Sequence, residues 1–204
     1  MGPRPGDSAV KMAITGGIAC GKSLVGSYLA EAGVPVCEAD NLAHEVLRRG
    51  EAAYAPVVQE FGPEILGADG EICRAELGRL VFADCGRLQR LNTLIHPEVL
   101  RRLRAWVAAQ SVACATVAAV IPLLFEIGDE GYWDLTVCVG APEADQRARL
   151  QERGLSAEES WQRLRAQQPL AWKIERADRV IYNCGSMDVL REQTDRLLKS
   201  IRGE

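Results

Sequence analysis

Residues 16–23 read G-G-I-A-C-G-K-S and fit the pattern G-x-x-x-x-G-K-[ST]. The spacing has a direct physical use. Successive backbone N–H groups at a helix N-terminus form a cradle for an anion. Gly16 and Gly21 permit the tight backbone path, and the stretch Gly17, Ile18, Ala19, Cys20, Gly21, Lys22, Ser23 and Leu24 would wrap the phosphates. Lys22 would place its ammonium against the β- and γ-phosphates, and the Ser23 hydroxyl could ligate Mg²⁺. Lysine is scarce in this chain, only Lys11, Lys22, Lys173 and Lys199, so its presence here carries weight. The loop implies a nucleoside triphosphate. No N-K-x-D element for guanine follows, and no apolar strand ends in Asp-Glu as in a motor-type ATPase. What remains is the class of small P-loop kinases, which need an acceptor site and an Arg-rich lid.

Asp40 is the acceptor-side candidate. It follows a second short strand, expected next to the P-loop in a parallel sheet, where a carboxylate can orient an attacking hydroxyl or take its proton. The competing reading is a plain N-cap for the helix over 41–49. Glu38 stands two residues earlier on what reads as an extended segment and would point the same way.

The elements that must position these groups can be read from patterning. An apolar run over 10–15 ends at Gly16-Gly17, and helical spacing over 22–32 is closed by Gly33. A second strand spans 34–37. Residues 51–110 are rich in helix formers, broken at Gly62-Pro63, at the turn 67–70 and at Pro97. Continuous apolar strands follow at 116–121 and 135–139. Residues 143–176 are helical and Arg-rich, with a capping box at Ser156 and Glu159. A last strand over 179–182 and a helix over 187–201 complete the chain. Short apolar strands separated by helices predict an α/β fold: a P-loop nucleoside triphosphate hydrolase-type parallel sheet flanked by helices. The block 51–110 is too long for a simple crossover and reads as a helical insertion over the strand ends. The expected organisation is a flexible tail (1–9) and one kinase domain over 10–204. That domain divides into a core (10–50, 111–142 and 177–204), an acceptor-binding insertion (51–110) and a lid region (143–176).

The 204 residues carry a formal net charge of −4, with 48% hydrophobic and 25% charged residues. That is ordinary for a soluble globular protein and argues against a basic nucleic-acid binder. No apolar run approaches about 18 residues, so no membrane span is expected. The first residues lack the apolar stretch of a signal peptide and the Ser or Thr of a myristoylation motif. The odd count of seven cysteines, none spaced C-x-x-C, reads as reduced thiols in a cytoplasmic protein. Of the four Trp residues, none reads as a base-stacking platform; core or hinge anchoring is expected.

Over residues 12–198 the chain resembles the dephospho-coenzyme A kinase family. The matching pieces are the P-loop, Glu38-Ala-Asp40 with His44, and L-N-T-L-I-H-P over 91–97. They continue with P-L-L-F-E over 122–126, the arginines of 149–153 and 163–167, Lys173 with Ala177-Asp178, and I-Y-N-C-G over 181–185. The resemblance implies transfer of a phosphoryl group from ATP, with Mg²⁺, to the ribose 3′-hydroxyl of dephospho-coenzyme A. Neither nucleic acid nor membrane is implied as a partner, and one copy of the chain suffices for the chemistry. Asp40 would be the general base. Lys22 and the loop would hold the triphosphate and Ser23 the Mg²⁺. Arg149, with Arg153, would come from the lid and spread the transferred charge. Asn183 and Gly185 would bound the adenine, and His44, His96, Leu123 and Glu126 would line the acceptor. Leu123, Leu124 and Phe125 also read simply as packing, and His44 as a helix-packing residue. Four positions depart from the family pattern: Ala19 and Cys20 in the loop, Glu38 for Asp, and Tyr182 for Asp. Ala19 would crowd the phosphates if its φ is positive. Two other readings stay open: a different small-molecule P-loop kinase, and a nucleotide-binding regulator without turnover.

Overall fold

A computed structural model describes residues 9–204; the tail expected over 1–9 lies, but for Ala9, outside the described residues. The chain divides into two compact units, and Ala39–Ala105 form one of them.

The other unit is built on a five-stranded sheet. Its strands are β1 (Val10–Gly16), β2 (Val36–Glu38), β3 (Thr116–Val120), β4 (Leu135–Gly140) and β5 (Arg179–Tyr182). Every pairing is parallel and the order is β2-β3-β1-β4-β5. The sheet and its flanking helices are the α/β architecture that the strand patterning predicts. The three central strands have the continuous apolarity expected of strands covered on both faces. Met12, Ile14, Val137 and Val139 are fully buried, together with Val25 and Leu29 of α1 (Lys22–Glu31). Each such side chain contributes roughly 1.5–3 kcal/mol on removal from water. The long C-terminal helix α9 (Met187–Arg202) packs beside α1 and presents Leu190, Leu197 and Leu198 to the same core.

One expectation about the sheet fails. β2 is not a neighbour of β1, because β3 pairs with both and lies between them. β2 is also later and shorter than the 34–37 reading, and α2 (Ala39–Val46) begins directly after it. Glu38 therefore ends a strand while Asp40 sits in the first helical turn, so strand alternation does not align their side chains.

The Arg-rich stretch is helical as expected and forms three helices: α6 (Glu143–Glu152), α7 (Ala157–Arg165) and α8 (Leu170–Arg176). The capping box at the start of α7 is complete. The Glu159 N–H donates to Ser156 Oγ at 3.1 Å, and the Ser156 N–H donates to Glu159 Oε2 at 2.8 Å.

Within the unit Ala39–Ala105, α2 is followed by α3 (Tyr54–Phe61) and α4 (Arg74–Phe82), and α5 (Cys85–Gln110) begins there. Pro97 does not break α5. Proline removes one helix hydrogen bond, but Leu91, Ile95, Val99 and Leu103 recur every fourth residue and are all buried, and that stripe holds the helix continuous. One turn past the proline, Arg102 donates from Nε to Glu98 at 2.8 Å and from Nη2 to Glu51.

Candidate active site

The loop between β1 and α1 has the conformation its glycines demand. Gly16 has φ +138 and Gly21 φ +100. A Cβ on Gly16 would lie 2.0 Å from the Val139 carbonyl oxygen of β4, and one on Gly21 would lie 2.6 Å from Asn183 Nδ2. Ala19 is the one non-glycine with positive φ, at +56, among the described residues. The strain that its side chain would bring to the loop is thus present. Lys22 folds back over the loop, and its ammonium donates to the carbonyls of Gly17 at 2.8 Å and Gly16 at 3.3 Å. Ser23 is exposed in the first turn of α1.

Three side chains buttress this loop. The Asn183 amide, buried after β5, donates to the Cys20 carbonyl at 2.9 Å. Arg149, near the end of α6, donates to the Ala19 carbonyl at 3.1 Å and to the Asn183 carbonyl at 3.5 Å. Gln146, one turn earlier and 4% exposed, donates to the Ala141 carbonyl at 2.9 Å and presents its oxygen to Gly17. The Cys20 thiol is pushed above its ordinary value, chiefly by burial, although Lys22 pulls the other way. Cys138 is pushed up to about 12, by burial first and then by the neighbouring Cys20. Both sulfurs remain thiols at neutral pH and offer no thiolate nucleophile.

Beside Gly17 and Ile18 opens a cavity of about 700 Å³, lined also by Glu126, Gln146, Trp161 and Gln167. Glu126 Oε1 receives the Lys173 ammonium at 2.7 Å and the Gln168 N–H at 3.3 Å. Leu124 and Phe125 just before it are core, and Leu123 is half-buried. Trp161 carries the Arg165 guanidinium, one turn further along α7, 4.6 Å from its ring centroid.

The sequence-predicted residues therefore divide. Lys22, Arg149 and Asn183 meet on the phosphate loop, and Glu126 shares a cavity with Gly17. Gly185 is exposed in the turn after β5, and Arg153 is exposed at the end of α6. Asp40, His44 and His96 belong to the unit Ala39–Ala105. Asp40 is exposed, one helical turn from His44. The His44 imidazole is held below its ordinary value by burial and then by Arg74, against the pull of Asp40. His96 is lowered by burial alone. Asp40 lies inside the helix rather than at its cap, so the N-cap reading does not apply. Sequence reasoning missed Gln146 and Lys173 as parts of the site. Two signals were available for Lys173, the scarcity of lysine and its place with Ala177-Asp178 among the pieces that match the family; nothing marked Gln146.

With this geometry in place, similarity becomes informative. The dephospho-CoA kinase family matches residues 10–188. A dephospho-CoA kinase of Thermosynechococcus vestitus is 43% identical over 188 residues, covering 91% of this chain and 92% of its own. One from Geobacillus kaustophilus is 43% identical, covering 91% and 94%. The crystal structure of TT1252 from Thermus thermophilus superposes with a TM-score of 0.78 at 36% identity, over 95% of this chain and 98% of its own.

Proposed function

Because the chain belongs to the dephospho-CoA kinase family, we propose that it transfers the γ-phosphoryl group of ATP to the ribose 3′-hydroxyl of dephospho-coenzyme A, completing coenzyme A synthesis. The protein is a P-loop phosphotransferase. The observation that carries the reading is the complete phosphate loop, with Lys22 lodged on the carbonyls of Gly16 and Gly17 and Arg149 on that of Ala19.

Phosphoryl transfer asks little covalent chemistry of a protein, so positioning and charge do the work. Lys22 would exchange the carbonyls of Gly16 and Gly17 for phosphate oxygens, trading neutral acceptors for stronger charged ones. The loop N–H groups from Gly17 to Leu24 would hold the remaining oxygens. Arg149 has its guanidinium at the loop already and would move from the Ala19 carbonyl to the transferred charge, with Arg153 as a second cation from the lid. Asn183 and Gly185 would bound the base, with the Asn183 amide holding the loop. Asp40 would accept the proton of the attacking hydroxyl. His44, His96, Leu123 and Glu126 would line the acceptor.

Mg²⁺ fits the donor set. Ser23 supplies a hard hydroxyl oxygen at the helix start, and no group of three His, Cys, Asp or Glu forms a cage among the described residues. An ion held by one hydroxyl, phosphates and waters is the usual magnesium arrangement. It would neutralise phosphate charge.

No helix among the described residues is long and apolar enough to cross a membrane. The described cysteines are free, which suits a reducing cytoplasm. The reaction as proposed uses one copy of the chain and neither nucleic acid nor lipid.

A coupled assay for ADP tests the reading. ADP production should require dephospho-coenzyme A and should not appear with nucleosides or nucleoside monophosphates. ADP formation independent of dephospho-coenzyme A would refute the assignment.

A further inference from the structure

Lys173 is the largest fully buried side chain of the described chain, at 0% exposure on the seven-residue α8. Burying an ammonium is costly unless it is paired and hydrogen-bonded. Here it donates to Glu126 Oε1 at 2.7 Å and to the Pro122 carbonyl at 2.8 Å. The same carbonyl accepts from Thr15 Oγ1 at 3.3 Å, just before the phosphate loop, and Glu126 Oε1 also accepts the Gln168 N–H. One buried cation thus ties the strand that carries the phosphate loop, the segment after β3 and the loop between α7 and α8.

That arrangement leaves an imbalance. Glu126 Oε2 and Gln167 Oε1 are buried and have no hydrogen-bond partner, and both residues line the cavity beside Gly17 and Ile18. Two orphaned acceptors in one cavity call for a ligand that donates. A carboxylate oxygen repels phosphate, so the triphosphate is not that ligand. A directly bound metal does not fit either, since the Lys173 ammonium already sits on the carboxylate and no cluster of metal-ligating acids or histidines is present among the described residues.

We infer that Glu126 Oε2 and Gln167 Oε1 form a subsite that accepts hydrogen bonds from hydroxyl or amino groups of the phosphoryl acceptor, and that Lys173 is the positioning residue that holds Glu126 in it. The inference rests on the kinase reading above and deepens it. Gln167 belongs to the lid region and Glu126 to the core, so one donor group bridging them would couple acceptor binding to the seating of the lid.

The test separates acceptor from nucleotide. Glu126→Gln keeps the shape but puts an amide donor where an acceptor is needed; Gln167→Met removes the second acceptor. Each should raise the KM for dephospho-coenzyme A, by about tenfold or more for Glu126→Gln, with kcat at saturation and ATP affinity within about twofold. Lys173→Met should match Glu126→Gln, and the double variant should lose no more than the worse single one, because both act through one carboxylate. Unchanged acceptor KM in both Glu126→Gln and Gln167→Met would overturn the subsite, as would a parallel loss of ATP affinity. Additive losses for Lys173→Met and Glu126→Gln would overturn the positioning role. If Lys173→Met does not fold, the other two variants decide. Calorimetric affinity for dephospho-coenzyme A in the absence of ATP keeps the two readings distinct. Wild type that binds it without turnover defeats the proposed reaction; binding that Glu126→Gln and Gln167→Met leave unweakened defeats the subsite.

Discussion

At the scale of single residues, the loop concentrates the chemistry and also the strain. Lys22→Ala removes a cation already aimed into the phosphate cradle. Transfer should become undetectable and ATP affinity should fall, as a coupled assay and calorimetry would show; wild-type turnover would remove the loop from the mechanism. Ala19 at φ +56 carries a left-handed conformation that costs a side-chain-bearing residue about 1–2 kcal/mol. Ala19→Gly should leave turnover equal or higher and should raise the melting temperature slightly. A clear fall in turnover would mean that the loop has adapted to its alanine. For Asp40, a positioned base is worth about 10² to 10⁴ in rate. Asp40→Asn should lose at least about a hundredfold in kcat with near-native ATP affinity. Its stability should change by no more than about 1 kcal/mol, the worth of a charge in a first helical turn. Near-native kcat would exclude Asp40 and turn attention to Glu38 and Glu126.

At the scale of elements, α7 is held locally. It starts with a complete capping box, and Ser156→Ala should cost about 1 kcal/mol, felt within that helix. Faster proteolysis between 153 and 169, with little change in global melting, is the expected signature. Those same bonds should become protected when ATP and dephospho-coenzyme A are both present, because transfer requires water to be excluded. Equal cleavage with and without ligands would count against closure. The junction of β4 and β5 is pinned by Asp178, which accepts from the Thr136 N–H at 2.8 Å and its hydroxyl at 2.7 Å. Those bonds hold the Asp178 carboxyl below the usual carboxylate range.

At the scale of the whole molecule, the shifted groups point one way in acid. Asp178 and Glu159 are depressed, and Glu98 is held at about 2 by Arg101 and then Arg102. Carboxyls with lowered native values stabilise the fold fully above their unfolded values, near 4, and lose that contribution as pH falls through the native ones. His44 and His96 are depressed as well, so the unfolded chain takes up their protons first and stability declines as pH drops below about 6.5. The melting temperature should therefore fall in two stages, beginning near pH 6.5 and steepening below about 4. His96→Phe should shrink the first stage to the His44 part and leave the second. A melting profile flat from pH 7 to 5 in wild type would contradict the histidine contribution.

Much of this was legible without coordinates because its causes are local. The phosphate loop is a matter of glycines and a lysine at set spacing. The strands at Thr116–Val120, Leu135–Gly140 and Arg179–Tyr182 follow from short apolar runs, and the capping box from Ser156 and Glu159 three residues apart. What the chain alone did not reveal depends on partners far away in sequence. β3 slips between β1 and β2, and only sheet pairing decides that order. Pro97 stays helical because a buried stripe outweighs one lost hydrogen bond. Lys173 stands out in the chain as a scarce lysine within a matching piece, but its burial is decided only when α8 packs it against the carbonyl of Pro122 and the carboxylate of Glu126. Burial of a charge and the orphaning of an acceptor are properties of surroundings, and surroundings exist only once the chain has folded.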